Sequence, residues 1–140
     1  MKVVEELTVK VEVEIPAGEY WLGDPCYTVP DDMWMPWLEA ADYKNQGDVL
    51  VAQVPGTSFH VLGFGTKWGD GVYQGTDGEN YGVDAGLIGL VPVGLFPETT
   101  SSLSTKIVFE GPRKAVWRDN GLLSFGDVDI ETNPSYEDEI

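Results

Sequence analysis

Three aspartates beside glycine residues are the side chains of this sequence with the clearest potential for chemistry. Asp24 lies in a Gly-Asp-Pro turn, Asp70 in Gly-Asp-Gly, and Asp84 in Val-Asp-Ala-Gly. Carboxylates that converge can hold a metal ion or act as an acid and a base, and Trp68 would add a stacking surface for a sugar or nucleoside. Short carboxylates beside glycine also accept backbone N–H groups and pin irregular turns. The sequence favours pinning, with a ligand-binding, metal-binding or hydrolytic site as the alternative.

The segment 63–89 holds nine of the seventeen glycines and is the natural place to look for a phosphate or calcium loop. Its glycine spacing is not G-x-G-x-x-G, no Gly-Lys-Ser/Thr follows, and no helix is predicted after it. An EF-hand loop beginning at Asp77 would need an oxygen ligand at Tyr81 and a carboxylate at Ile88. The glycines are therefore expected to serve tight turns and close strand contacts. An oxygen-ligated site of another kind stays open, with candidate ligands Asp70, Asp77, Glu79 and Asp84.

The single cysteine and the single histidine are weak candidates for catalysis. One His and one Cys are too few for an ordinary zinc site. Cys26 would need a base such as His60 beside it to act as a nucleophile, and its context is typical of a tight turn that buries a small side chain. His60 lies in a strand-like run, where a structural or outward-facing role is expected. No catalytic residue and no cofactor is predicted.

Acidic residues dominate the charge, and the excess lies at the two ends of the chain. The 140 residues carry a net charge of −16. Residues 1–42 hold ten acids and two lysines, residues 43–126 eight acids and six bases, and residues 127–140 six acids and no base. Direct binding to nucleic acid is not expected, because it requires a cationic surface that displaces phosphate counterions.

The acidic ends suggest one candidate interaction surface. Glu12 and Glu14 share the polar face of the first predicted strand, and the last predicted strand carries three acids: Asp127, Asp129 and Glu131. If the two strands are neighbours, these carboxylates form one negative patch that can attract a basic partner or imitate a row of phosphates. A solvated face that keeps the protein in solution is the plainer alternative.

Most of the chain has the pattern of short β-strands separated by turns. Leu7–Ile15 alternates apolar and polar residues, which predicts a strand with one buried face, and Asp77-Gly78 predicts a hairpin turn. An apolar stripe predicts one helix over about 33–43, with an irregular start caused by Pro36. About ten short strands and one helix predict a mainly β, α+β fold, either an antiparallel sandwich or a partly open barrel.

Length and composition indicate one ordinary globular domain. Residues 1–132 are expected to form it, followed by an acidic tail at 133–140. The sequence shows no apolar run long enough to span a membrane and no signal peptide, so neither membrane association nor secretion is expected. Cys26 has no partner for an internal disulfide, which favours a reducing cytoplasm.

Four sequence motifs occur in order along the chain. They are GEYWLGDPCY at 18–27, FGTKWGDGVY at 64–73, YGVDAGLIG at 81–89 and FGDVDIET at 125–132. Together they resemble a family of small proteins found widely in tailed bacteriophages and bacteria. The resemblance covers most of residues 18–132 and implies a phage-type accessory protein, without implying a particular activity.

Taken together, these features predict a non-enzymatic protein that binds another protein through an acidic surface. Two versions are open, an inhibitor of a host factor and a component of a virion. The alternative is a small-ligand, metal-binding or hydrolytic site built from the glycine-flanked aspartates and Trp68. No cofactor, nucleic acid or membrane is expected to take part.

Overall fold

Antiparallel β-strands are the main regular elements of the computed structural model, which describes residues 9–97 and 104–133. The strands are β1 (Lys10–Ile15), β2 (Gly18–Gly23), β3 (Val49–Gln53), β4 (His60–Gly65), β5 (Gly71–Gln74), β6 (Asn80–Val83), β7 (Leu87–Pro92), β8 (Thr105–Phe109), β9 (Arg113–Arg118), β10 (Leu122–Phe125) and β11 (Val128–Glu131). The α-helices are α1 (Asp31–Ala40) and α2 (Tyr43–Gln46), and single 3₁₀ turns lie at Pro25–Tyr27 and Val93–Leu95. No helix in the described ranges has both the length and the hydrophobicity that a membrane span requires.

Two sheets and a separate hairpin organise these strands. The first sheet has the order β1-β9-β10-β11, the second has the order β3-β4-β7-β2-β8, and β5 and β6 form the hairpin predicted at Asp77-Gly78. The chain passes between the sheets from β1 into β2 and again from β8 into β9. Because β1 pairs with β9 and β2 pairs with β8, these four strands form one two-stranded ribbon that bends from one sheet into the other.

The main core lies between the two sheets. Strand alternation turns every second side chain of each sheet inward, and Leu22 and Phe64 of the second sheet join Leu123 and Phe125 of the first in one buried cluster. The rings of Phe64 and Phe125 lie with their centroids 5.5 Å apart. In the described part of the chain each sheet keeps two edge strands, so the sheets form an open sandwich. The predicted mainly β, α+β fold with antiparallel sheets is confirmed.

Helix α1 covers the outer face of the second sheet. Its Trp37 is fully buried and belongs to a second apolar cluster with Leu50, Val61 and Val91 of that sheet. Trp34 packs beside Trp37, with the two ring centroids 5.5 Å apart. The apolar stripe predicted from the sequence therefore faces the sheet.

The helix begins and ends earlier than the sequence predicts. Residues 33–43 are expected, whereas α1 runs from Asp31 to Ala40. Two aspartates in its first turn complement the partial positive charge of the helix start, which favours the earlier beginning. Pro36 lies inside the helix, where it removes only one intrahelical hydrogen bond. Asp42 adopts a left-handed conformation, with φ of 57°, and so separates α1 from α2.

Three glycines form a row across the second sheet. Gly63 of β4 pairs with Gly89 of β7, which pairs with Gly23 of β2. A Cβ atom at Gly63 would lie 3.2 Å from the Trp37 ring, and one at Gly89 would lie 1.8 Å from the carbonyl oxygen of Leu62. The missing side chains therefore allow the helix and the neighbouring strands to approach closely. This close approach is the role that the sequence predicts for its glycines.

Candidate functional site

Asp24 is fully buried and is held by backbone groups of two different turns. Its Oδ1 accepts the N–H of Cys26 at 2.9 Å, and its Oδ2 accepts the N–H groups of Asp84 and Ala85 at 2.8 and 2.7 Å. These bonds join the turn after β2 to the turn after β6. Because the carboxylate is occupied by three backbone donors and shielded from solvent, it serves as a structural pin.

Two titratable side chains beside this pin, Tyr27 and Cys26, have raised pKa values. Asp84 accepts a hydrogen bond from the Tyr27 hydroxyl at 2.5 Å. Burial, together with that bond, raises the pKa of Tyr27 above its ordinary value. Burial and the nearby carboxylates of Asp24 and Asp84 raise the pKa of the Cys26 thiol to about 12. Only a thiolate is a good nucleophile, so the environment of Cys26 works against a nucleophilic role.

Asp70 and Trp68 lie in the exposed loop between β4 and β5. Asp70 directly precedes Gly71, which pairs with Val83, so it lies at the same end of the β5–β6 hairpin as Asp84. Trp68 is 59% exposed. Among the residues that the structure describes, no group of three His, Cys, Asp or Glu side chains is arranged to hold a metal ion. The metal-binding alternative gains no support from this part of the chain.

The acidic residues from the two ends of the chain lie at opposite edges of the first sheet. Strand β1 carries Glu12 and Glu14, whereas Asp129 and Glu131 lie on β11, and Asp127 occupies the turn before it. Strands β9 and β10 separate the two edges. The condition for a single patch, that the two strands are neighbours, is therefore not met.

Basic residues also interrupt this acidic face. The register places Glu12 opposite Val116 of β9, which puts Lys114 and Arg118 on the same face of the sheet. Glu12 pairs with Lys10 at 3.2 Å and with Lys114 at 3.3 Å. The hydrogen bonds and charges of these two lysines lower the pKa of Glu12, and the hydrogen bond from Lys10 has the largest effect. Local ion pairs thus take up part of the negative charge on β1.

A groove of about 790 Å³ opens on the free side of β1, between the two sheets. Residues 13–20 of the bent ribbon form one wall, and the second sheet with the loops that adjoin it contributes Val51, residues 58–62, Leu90 and residues 92–94. Strand β9 pairs with β1 but contributes no lining residue. The groove therefore lies on the unpaired side of β1, at Val13–Ile15.

The floor of the groove is a row of apolar side chains on neighbouring strands. Val51 pairs with Leu62, and Leu62 pairs with Leu90. Leu62 and Leu90 are buried, whereas Val51 is 44% exposed, so the first sheet covers this row only in part. Val13 and Ile15 add apolar surface from β1. The result is an apolar floor that solvent can reach.

The rim of the groove is acidic. Glu14 and Glu19 line it together with His60, and none of its described lining residues is Lys or Arg. Oε1 of Glu19 lies 3.7 Å from Nζ of Lys106, and about half of each side chain is exposed. Solvent therefore strongly screens the attraction between these two charges. An apolar floor with an acidic rim suits a ligand that carries apolar and positively charged groups.

The chain was compared with protein-family models, with curated proteins and with solved structures. None of the three comparisons finds a match. The resemblance to a bacteriophage family therefore stays a prediction based on the four motifs. The function has to be argued from the groove and its chemistry.

Sequence reasoning misses the groove, because the feature that creates it is tertiary. It treats Val51 as one member of an ordinary strand and His60 as a structural or outward-facing residue. One partial signal exists in β1, whose apolar face is visible as an alternation. On that face Val9 and Val11 are 59% and 38% exposed. The apolar face of the strand therefore extends beyond the part that the core buries.

Proposed function

We propose that this protein works by binding a basic segment of another protein in the groove beside β1. The observation that carries the proposal is the combination of an open apolar floor at Val51 with an acidic rim free of Lys and Arg among its described residues. The whole chain has a net charge of −16. Complementary charge of this kind accelerates association with a basic partner and discriminates against acidic ones.

The negative charge of the rim favours a basic protein segment over a fatty acid. A fatty acid would fit the apolar floor, but its carboxylate would lie near Glu14 and Glu19. Like charges at short range repel each other, and none of the described lining residues is a Lys or Arg that would offset this repulsion. A basic and apolar protein segment satisfies both the floor and the rim.

The biological setting follows from the four motifs and is part of the proposal. Their resemblance to a bacteriophage family supports a phage-type accessory protein that acts in the cytoplasm of the host. Under this proposal the partner is either a host factor that the protein inhibits or another component of the virion. The single cysteine, Cys26, agrees with a reducing compartment.

The experiment places a positive charge on the floor of the groove. Val51→Arg places a bulky cation on the apolar floor and offsets part of the negative charge of the rim, and Val108→Arg is the matched control. Both valines lie on edge strands of the second sheet, and they are similarly exposed, at 44% and 54%. Peptides are selected from a random library displayed against the unmodified protein, and their affinities are then measured by titration against all three proteins.

The expected peptides are basic and partly apolar. Val51→Arg should weaken their binding about tenfold or more, about 1.4 kcal/mol, whereas Val108→Arg should change it less than about twofold. Equal effects of the two variants, or selected peptides that are acidic, would contradict the proposal. Tighter binding of a fatty acid by Val51→Arg, without any peptide binding, would instead point to a lipid carrier. Circular dichroism of each variant verifies that the fold is retained.

A further inference from the structure

We infer that the partner lies along β1 as an added strand, an extended segment in which apolar and basic residues alternate. This inference rests on the proposed function and specifies the shape and chemistry of the partner. In strand addition, main-chain hydrogen bonds to an open sheet edge supply affinity, and alternate side chains supply specificity. Strand β1 offers both kinds of contact on the side that faces the groove.

The main-chain groups of β1 alternate in direction. In an antiparallel pair, every second residue directs its N–H and C=O groups at the neighbouring strand. The C=O of Val9 accepts the N–H of Asp119 at 2.9 Å, so the odd-numbered residues of β1 bond to β9. The N–H and C=O groups of Glu12 and Glu14 consequently point to the opposite side, where no strand of the described chain pairs with them.

The open edge has a defined end. Pro16 is the next outward-facing position and has no N–H to offer. Its C=O accepts the hydroxyl of Tyr20 at 2.7 Å. The available donors and acceptors therefore extend from Lys10 to Glu14, which matches a partner strand of about six residues, the usual strand length in globular proteins.

The other edge strands are less suited, as far as the chain is described. At β11, Gly75 bridges to Ile130, and the backbone N–H of Thr76 donates to the C=O of Asp129. Helices α1 and α2 both contact β3. Strand β8 contributes no residue to the groove. Among the edge strands in the described ranges, β1 lines the groove with three consecutive residues, Val13, Glu14 and Ile15, whereas β3 contributes Val51 alone.

The inner side chains of an added strand would reach the floor of the groove. Successive side chains of a strand point to opposite faces. Those on the inner face continue the row of Val13 and Ile15 and contact Val51 and Leu62. These positions of the partner are expected to be apolar.

The outer side chains of the added strand would lie beside the acids of β1. Glu12 is paired with Lys10 and Lys114, whereas Glu14 has no ion pair among the described residues. Opposite charges on neighbouring strands attract when they lie directly across from each other. The outer positions of the partner, above all the one beside Glu14, are expected to be Lys or Arg.

Two synthetic peptides of identical composition test the mode of binding. The probe is acetyl-KVKIKVK-amide, and its control, acetyl-KKVIVKK-amide, groups the apolar residues. The readout is amide hydrogen exchange of the full chain by NMR. At a peptide concentration of about ten times Kd, the amides of Glu12 and Glu14 should exchange about elevenfold more slowly, because protection follows 1 + [L]/Kd. Those of Val11 and Val13 should already be protected in the free protein.

A pair of variants separates the main-chain bond from the charge. Glu14→Pro removes the outward N–H and leaves the bonds to β9 in place, since proline is tolerated at such edge positions. Glu14→Gln removes only the charge. The alternating peptide should bind Glu14→Pro about tenfold more weakly than Glu14→Gln, and the grouped peptide should bind the unmodified protein at least about tenfold more weakly than the alternating one.

Three outcomes would overturn strand addition. They are protection of the Glu12 and Glu14 amides in the free protein, equal binding of the two peptides, and no binding of the alternating peptide at about 1 mM. The proposed function fails separately, when library-selected peptides do not distinguish Val51→Arg from Val108→Arg. Groove binding without protection of Glu12 and Glu14 would therefore reject the added strand and retain the protein-binding role.

Discussion

Replacement of Asp24 by alanine should strongly destabilise the protein. The substitution removes the fully buried carboxylate that accepts the backbone N–H groups of Cys26, Asp84 and Ala85, whose hydrogen bonds are part-buried. A buried donor without a partner costs about 1–3 kcal/mol. Water that enters the vacated space lowers the cost of each donor toward that lower limit, so the expected loss is about 3–5 kcal/mol. A typical domain is stable by only about 5–15 kcal/mol.

Urea unfolding followed by tryptophan fluorescence measures this loss by linear extrapolation. Asp70→Ala is the matched control, because Asp70 is an exposed aspartate between glycines, and its replacement should change the free energy of unfolding by less than about 0.5 kcal/mol. Asp24→Asn should be intermediate, since one oxygen remains while the new NH₂ group faces backbone donors. A free energy of unfolding for Asp24→Ala within about 1 kcal/mol of the control would refute the role of Asp24 as a buried pin.

Three further predictions concern the helix contact, the thiol and the pH dependence of stability. Gly63→Ala should lower the free energy of unfolding in urea by about 1–2 kcal/mol, because the new Cβ would lie 3.2 Å from the Trp37 ring and overpack the contact. The Cys26 thiol, with a pKa of about 12 against the ordinary 9.0, should react with a disulfide reagent about a thousandfold more slowly in the folded protein than in urea, as its thiolate fraction is that much lower. Burial and the hydrogen bond to Asp77 raise the pKa of Tyr81 above its ordinary 10.0. The folded state thus retains a proton that the unfolded state loses, so the free energy of unfolding should fall as the pH rises above 10. For Tyr81→Phe this alkaline fall in the free energy of unfolding should be smaller.

The first of these predictions has a matched control variant, and the other two have an outcome that would contradict them. Gly111→Ala suits the helix contact, because a Cβ there would lie 3.7 Å from its nearest neighbour, an Arg113 nitrogen, and its stability should be close to that of the unmodified protein. Equal thiol reactivity in the folded and the unfolded protein would contradict the buried position of Cys26. A Tyr81→Phe variant with the same alkaline loss as the unmodified protein would exclude Tyr81 as a cause of that loss.

Much of the fold can be predicted from local patterns. The alternation in β1 and the Asp77-Gly78 turn predict a strand and a hairpin that the structure contains. Both signals depend on neighbouring residues and on backbone preferences that the sequence displays directly. The apolar stripe around Trp37 likewise predicts the helix and its buried face, although the ends of α1 depend on cap and backbone details.

The site depends on relations that no local pattern contains. The pinning role of Asp24 is predictable from its turn, but its partners at 84 and 85 are not. The acidic strands β1 and β11 look alike in sequence, and only the order of the strands shows that β9 and β10 separate them. The groove depends on how far one sheet extends over the other. Its exposed residue, Val51, has the same local pattern as a buried one.

The distance between the partners of Asp24 along the chain has a consequence for the order of folding. Its bond to the Asp84 N–H spans 60 residues, and the entropy of closing such a loop must be lost before the bond can form. Burial of the carboxylate is also unfavourable until both turns are in place. A half-formed pocket would remove water from it without supplying the backbone N–H donors that replace this water. We therefore expect this contact to form after the rate-limiting step. Asp24→Ala should then accelerate unfolding and leave the refolding rate nearly unchanged.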